Sequence, residues 1–283
     1  MKFAIIPNLN KKDAIDYSAV CARILSERGA EISFLSSCEE YVYSVDYTYK
    51  DNISSLIKES DIVIALGGDG TLIKIARVCA KFNKPVLGIN FGNLGFVTGM
   101  EPTQSEMLNK LVTGEYTTDR RSLLALELDI NGKTETYNAV NDIVVSRGSC
   151  SRIIRLNVLL DGKKINSYSA DGVIFCTPTG STAYSLSAGG PVIDPKINCI
   201  CMTPICPHSL FSRPVIFGSD SILNVEYENQ NDSDIYITID GQENICLQNV
   251  NRITVKTSDD YVDLIKLGNK DFYATLNDKL WKR

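Results

Sequence analysis

Asp61-Ile62-Val63-Ile64-Ala65-Leu66-Gly67-Gly68-Asp69-Gly70-Thr71 is the stretch that decides the fold. Its first part is a continuous apolar, β-rich run, as expected of a strand covered on both faces in a parallel sheet. Thr71 to Phe82 follows with helical character, so the glycines mark a strand-to-helix turn. In open α/β sheets ligands bind beyond the carboxyl ends of strands. Consecutive glycines let the backbone come close to a ligand and aim N–H groups at phosphate oxygens. The helix that follows adds its positive N-terminal end. Asp69 has two readings: the N-cap of a tight turn, or a group with its own task. A carboxylate repels phosphate unless it orients or deprotonates an acceptor hydroxyl, or acts through a cation.

Outward from this turn, strand and helix signals alternate over the first ~115 residues, the mark of a parallel sheet with packed helices. Phe3 to Ile6 is a short apolar strand. From Lys12 to Arg28, apolar residues recur at helical spacing, with Gly29 as the stop. Glu31 to Leu35 is strand-like, Ile53 to Lys58 helical, and Pro85 to Asn90 the next strand. After about Tyr116 the pattern becomes short, partly alternating segments: Leu123–Ile130, Thr134–Val145, Ile153–Leu160, Ser167–Cys176, Ile222–Tyr227 and Ile235–Ile239. Asn131-Gly132, Asp161-Gly162 and Asp240-Gly241 end several of them with turn chemistry. The expected fold class is α/β plus all-β: a Rossmann-like α/β domain over 1–115, then a β-sandwich domain over 116–261. Lys270 to Trp281 reads as a helix packing back on the first domain, which therefore includes about 262–283.

The composition of 283 residues, 44% hydrophobic and 22% charged, suits a protein with large buried cores. A net charge of −5, with no run of five or more like charges, argues against a nucleic-acid partner. No apolar stretch reaches bilayer-spanning length, and the N-terminal residues lack a signal-peptide pattern. The expectation is a cytoplasmic protein with no membrane partner. Nine cysteines without repeated C-x-x-C spacing are read as reduced, with Cys199, Cys201 and Cys206 as small apolar residues of a strand and loop. The single histidine, His208, excludes a His-rich metal centre and is read as structural, and no protein metal site is expected.

Several familiar phosphate motifs are missing. No G-x-x-x-x-G-K-S/T occurs, no G-x-G-x-x-G follows the first strand, and no H-R-D precedes a D-F-G. Other stretches carry chemistry instead. Gly88 to Phe96 is a second glycine-rich turn after a strand. Asn141-Asp142 pairs an amide with a carboxylate, a combination suited to adenine edges and ribose diols, or equally to a simple turn. Asp171-Gly172-Val173-Ile174-Phe175-Cys176-Thr177-Pro178-Thr179-Gly180-Ser181-Thr182-Ala183-Tyr184 runs a strand into a hydroxyl-dense loop and an aromatic ring able to face a base. Ser187-Ala188-Gly189-Gly190-Pro191 follows it.

Gly67–Thr71 resembles the motif shared by NAD kinases, diacylglycerol and sphingosine kinases and, more distantly, phosphofructokinases. The stretch from Asp171 to Tyr184 resembles the hallmark of the NAD kinases, and Thr203 to Leu210 with Arg213-Pro214, and Asp240-Gly241-Gln242, resemble later blocks of the same family. The resemblance implies an alcohol-acceptor phosphotransferase that uses ATP, with Mg²⁺ or another divalent cation, to phosphorylate the adenosine ribose 2′-hydroxyl of NAD. It implies Asp69 as the catalytic carboxylate with Gly70 beside it, and Asn141 and Asp142 as the pair holding base and ribose. It gives Asp171, Thr179, Thr182, Ala183, Tyr184 and Ser187 to the NAD pocket, and Arg152 to a phosphate or a neighbouring subunit's ligand. Gln242 is a softer member, and a homodimer or homotetramer is the implied assembly. Ser169-Ala170 departs from the family pattern, which often has a basic residue or Gly before the Asp. Two other readings stand beside this one: a lipid or sphingoid kinase, which would want an apolar acceptor pocket, and a non-catalytic NAD-sensing module, which would gain nothing from Asp69.

Overall fold

In the computed structural model, Ile62–Gly67 is buried along its whole length, and the first of two compact units is built around it. The structure describes residues 1–92, 95–148, 153–209, 211–228, 234–247, 250–268 and 271–281. One unit comprises Met1–Arg121 and Asp260–Arg283, the other Ser122–Asp259. The division falls within long strands rather than in polar linkers.

The first unit opens with β1 (Lys2–Pro7), α1 (Lys12–Ser26), β2 (Glu31–Leu35), β3 (Thr48–Lys50) and α2 (Ile53–Glu59). It continues with β4 (Ile62–Gly67), α3 (Asp69–Lys81), β5 (Val86–Asn90), a 3₁₀ segment (Pro102–Leu108) and α4 (Asn109–Thr113). The strands pair in parallel in the order β5-β4-β1-β2-β3, with Ala4 opposite Val63 and Ile64 opposite Leu87. The chain returns late to this unit, where Leu264 pairs in parallel with Val86. Phe3, Ile5, Leu25, Phe34, Ile64, Leu66 and Leu87 form its core together with Ile265 and Leu267.

Helix α1 buries Ala14, Ser18, Cys21, Ala22 and Leu25, one stripe at helical spacing. Gly29, at φ +79°, ends it as the sequence leads one to expect. Helix α3 begins two residues before Thr71. Gly68, extended at φ −95°, is its N-cap and Asp69 its first residue, so Asp69 does not cap the helix. A glycine cap leaves the carboxylate available for something else. Strand β3 and the 102–113 segment carry no periodic signal and were not expected from the sequence.

The second unit holds β7 (Lys133–Ala139), β8 (Asp142–Arg147), β9 (Ile154–Leu160), β10 (Lys163–Ala170) and β11 (Gly172–Cys176), preceded by the longer β6 (Thr117–Ile130). A short helix α5 (Tyr184–Ser187) follows, then β12 (Cys199–Ile205), β13 (Val215–Gly218), β14 (Leu223–Glu228), β15 (Ile235–Ile239), β16 (Glu243–Cys246) and β17 (Val250–Lys266). One antiparallel set runs β10-β9-β14-β17, with the β6-β7 hairpin joined through β17; the other runs β13-β12-β11-β8-β15-β16. Leu126, Leu156 and Val225 from the first set share one core with Val145, Phe175 and Ile237 from the second, the packing of a sandwich. The three turns read from sequence have positive φ at both central residues: 52° and 78° at Asn131-Gly132, 49° and 80° at Asp161-Gly162, 52° and 66° at Asp240-Gly241.

Two stretches read as single strands are each broken by a change of sheet. Thr134–Val145 divides at Val140-Asn141, where β7 of one set gives way to β8 of the other. Ser167–Cys176 divides at Asp171, between β10 and β11. Apolar alternation continues through both breaks because both sheets face the same core, so periodicity alone does not reveal them. The C-terminal helix is α6 (Phe272–Leu276), prolonged by a π turn over Asn277–Trp281. Phe272 packs on Phe96 of the first unit, with ring centroids 6.1 Å apart.

Candidate active site

In the first unit the site grows from glycines packed so closely that an added Cβ would force a neighbour to move. A Cβ at Gly67 would lie 2.5 Å from Thr71 Oγ1, and one at Gly88 would lie 2.5 Å from Leu72 Cδ2. Strand β4 and helix α3 can therefore meet closely at the turn. A Cβ at Gly95 would fall 2.0 Å from Asp69 Oδ1, so the second glycine turn lies flat against the Asp69 carboxylate. There, among the described residues, the Phe96 N–H donates to Oδ2 at 2.9 Å and the Val97 N–H reaches Oδ1 at 3.5 Å. The carboxylate is half-buried and oriented by backbone. Gly70 is exposed in the first turn of α3.

Beside this turn, at the carboxyl ends of β1 and β4, a cleft of about 590 Å³ is lined by Asn8, Lys11, Gly68, Gly70, Thr71 and Lys74 among others. Asn8 Nδ2 donates to Thr71 Oγ1 at 3.0 Å. Lys11 Nζ donates to the Phe91 carbonyl and stands 3.9 Å from the Cβ position of Gly68. Two ammonium groups, open glycine backbone and a helix N-terminus together suit a polyphosphate. Sequence reading missed Lys11 and Lys74. The one available signal was their placement, Lys11 just beyond the first strand and Lys74 one turn into α3.

In the second unit the organising group is Asp240, at the β15-β16 turn. Its carboxylate accepts the backbone N–H groups of Asn141 at 2.7 Å, Val140 at 3.1 Å and Asp142 at 3.1 Å. It thus satisfies the backbone at the change of sheet, where no ladder can. Asp142, which is buried, has its carboxyl pushed up to about 7, first by burial and then by the neighbouring Asp240 charge. Asp171, at the other change of sheet, accepts from Arg147 Nε of the neighbouring β8 at 2.6 Å.

The hydroxyl-rich loop sorts into two groups. Thr177 Oγ1 donates to the Val140 carbonyl at 2.6 Å, Ser181 Oγ donates to Pro178 O at 2.6 Å, and Ser185 and Thr203 hydroxyls lie 2.8 Å apart. All of these are buried and fasten the loop. Gly180 is pressed against Asn141, whose carbonyl would sit 2.0 Å from an added Cβ. Thr182, donating to Thr179 O at 3.2 Å, is partly exposed, as is Ala183. Tyr184, at 47% exposure, presents its ring outward, and Ser187 is exposed.

The structure gathers Asn141, Asp142 and the residues Thr179, Thr182, Ala183, Tyr184 and Ser187 at the Cys176 end of β11, where Asp142 pairs with Cys176, whereas Asp171 lies at the opposite end of that strand, beside Arg147. Gln242 is exposed beside Asp240, its N–H closing the turn onto Ile239 O at 2.9 Å. Arg152 lies outside the described residues. His208 is exposed, and its backbone N–H binds Ser169 O at 2.9 Å. Cys199 and Cys201 are buried in β12 and Cys206 is exposed just beyond it. Among the described residues, no group of three or more His, Cys, Asp or Glu is arranged to hold a metal, and no helix is long and apolar enough to cross a membrane.

A glycine turn opening a helix, with a backbone-oriented carboxylate at its mouth, is the equipment of kinases that phosphorylate a hydroxyl. The ATP-NAD kinase N-terminal domain matches residues 3–116, and the ATP-NAD kinase C-terminal domain matches 140–267. The NAD kinase of Thermoanaerobacter sp. (strain X514) is 39% identical over 100% of this chain and 99% of its own, and that of Caldanaerobacter subterraneus subsp. tengcongensis 38% identical over 100% and 99%. Yeast NADH kinase, solved with NADH, superposes with a TM-score of 0.86 at 24% identity, covering 99% of this chain and 87% of that one. The NAD kinase of Archaeoglobus fulgidus, solved with ATP, gives 0.76 at 23% identity, covering 99% and 98%. These two structures share the fold. The chain belongs to the NAD kinase family.

Proposed function

We propose that this protein transfers the γ-phosphoryl group of ATP to the 2′-hydroxyl of the adenosine ribose of NAD, giving NADP and ADP. Membership of the family over the full length supports the reaction. The observation that carries the mechanism is Asp69, freed from capping by Gly68 and oriented by the N–H groups of Phe96 and Val97.

Phosphoryl transfer asks chiefly for positioning and for stabilisation of charge in a loose transition state. The cleft with Lys11 and Lys74, the open backbone at Gly68 and Gly70 and the N-terminus of α3 receive the polyphosphate of the donor. Mg²⁺ would enter with that substrate and would offset the charge of its phosphates, leaving Lys11 and Lys74 to position them. Asn141, Asp142, Thr179, Thr182, Ala183, Tyr184 and Ser187 hold the adenosine part of NAD, with Gly70, Asp171, Gln242 and Arg152 as further contacts. With its proton held to about pH 7, Asp142 both donates and accepts, which matches an adenine edge that offers both kinds of partner. Asp69 takes the proton of the 2′-hydroxyl as the O2′–Pγ bond forms and the bond from Pγ to the bridging oxygen breaks, releasing ADP. The same reading places the enzyme in the cytoplasm as a homodimer or homotetramer, an assembly that light scattering of the purified protein measures directly.

The test is a coupled assay in which a NADP-specific dehydrogenase reports NADP made from MgATP and NAD. NADP formation that requires both substrates supports the proposal. Phosphorylation of diacylglycerol or sphingosine, with none of NAD, would transfer the chain to the lipid kinases. Tight NAD binding without turnover would make it a sensing module.

A further inference from the structure

Phe96 is gripped from two sides. Its backbone N–H is the closer of the two donors to Asp69, at 2.9 Å. Its half-buried ring meets the Phe272 ring at 6.1 Å and 42°, and Lys279 Nζ stands 4.3 Å from its centroid. Residues 96–98 belong to no strand or helix, so no ladder fixes their backbone. On one side the chain is tied at Gly99, whose N–H donates to Gly88 O at 3.0 Å and whose Cβ would meet Ile265 O at 2.3 Å. On the other side the aromatic contact is the fixed point. Phe272 is itself well placed to serve: it opens α6, whose start is fastened by Asp271 accepting the Ala274 N–H at 2.7 Å and whose Leu276 is buried in the same unit. The Tyr273 ring backs it edge-on at 5.4 Å.

We infer that the C-terminal segment Asp271–Lys279 is a positioning element for the catalytic carboxylate: Phe272 and Lys279 clamp the Phe96 ring, and the clamped loop aims two backbone N–H groups at Asp69. The inference rests on the reading of Asp69 as the proton acceptor in NAD phosphorylation. An aromatic pair and a cation over a ring face both have preferred geometries, so the clamp sets where the loop lies as well as adding apolar contact. Displacement of a reacting group by about 1 Å costs up to about 10²-fold in rate. A residue more than 170 positions along the chain from Phe96 would thus act on turnover without meeting either substrate.

The test compares steady-state NADP formation by the full-length wild type, Phe272→Ala, Phe272→Tyr and Lys279→Met, each at a temperature well below its own melting point. Phe272→Ala is expected to lower kcat about tenfold or more, with KM for NAD and for ATP within about twofold. Phe272→Tyr restores a ring and is expected to keep kcat within about twofold. Lys279→Met keeps the apolar stem, removes the charge and is expected to lose about two- to threefold in kcat. A loss carried by KM alone, or wild-type kcat in Phe272→Ala, overturns the proposal. If Phe272→Ala does not fold, wild-type kcat in Lys279→Met overturns it equally. A wild-type chain that makes no NADP defeats the functional reading before any variant is compared.

Discussion

Asp240 accepts the backbone N–H of Asn141 at 2.7 Å across a separation of 99 residues. The contact joins a hairpin turn to the point where the chain leaves one sheet for the other. Under the proposed function, Asp240 is therefore a support for Asn141 and Asp142, standing behind the residues that would face NAD.

Replacing Asp240 with Asn keeps the size and removes the charge. Hydrogen bonds to charged groups contribute about 1.5–3 kcal/mol each, and Asp240 holds the N–H groups of three consecutive residues. Asp240→Asn is expected to lower the melting temperature by several degrees and raise KM for NAD at least about tenfold, with KM for ATP little changed. Thermal melts and initial-rate kinetics measure both.

Asp142 gives the protein a pH-dependent stability of defined sign. Its carboxyl is raised to about 7 in the folded chain, against an ordinary value of 3.8. Between those values the folded state holds a proton that the unfolded state has lost, so stability falls as pH rises through the window and levels off above about 7. Asp142→Asn removes that titration. The gap in melting temperature between pH 5 and pH 8 should narrow in the variant, and an unchanged gap would show that another group sets it.

Gly95 has no functional side chain, yet Gly95→Ala is expected to imitate loss of Asp69, the carboxylate proposed to accept the proton. The added Cβ would sit 2.0 Å from Asp69 Oδ1, so the carboxylate or the loop must move. Asp69→Asn should lower kcat by about 10²–10⁴ with NAD still bound. Gly95→Ala should fall by at least about tenfold, and titration of each variant with NAD separates loss of turnover from loss of binding.

Lys74 lines the cleft beside the glycine turn. Lys74→Ala is expected to raise KM for ATP about tenfold and leave KM for NAD within about twofold. The effect should weaken as salt is raised, because Lys74 is exposed and its charge is screened. Equal rises in both KM values would place this lysine elsewhere in the reaction.

Much of this was legible in the residues because local chemistry and tertiary position agree there. The run Ile62–Leu66 is apolar because it is covered on both faces, and Asn131-Gly132, Asp161-Gly162 and Asp240-Gly241 adopt the positive φ that their residues tolerate. The hydroxyl-rich loop could be found but not sorted. Nothing in its letters tells the buried Thr177 and Ser181 from the partly exposed Thr182, since the difference is made by partners such as Val140 O far along the chain. Asp240 reads in the sequence as part of a turn, but its carboxylate's task is invisible there for the same reason. Strand β17 went unread because its polar residues, from Asn251 to Asp263, hide a buried alternation at Ile253, Val255, Val262 and Leu264. The changes of sheet at Asn141 and Asp171 left no trace in periodicity.

The unit that carries Asp69 is assembled from both ends of the chain, with Leu264 lying alongside Val86 and Ile265 inside its core. A fragment ending at residue 121 would therefore leave the β5 edge unpaired and the apolar surface beside it uncovered, a template that invites association between copies. Neither part of that unit is expected to hold its fold without the other.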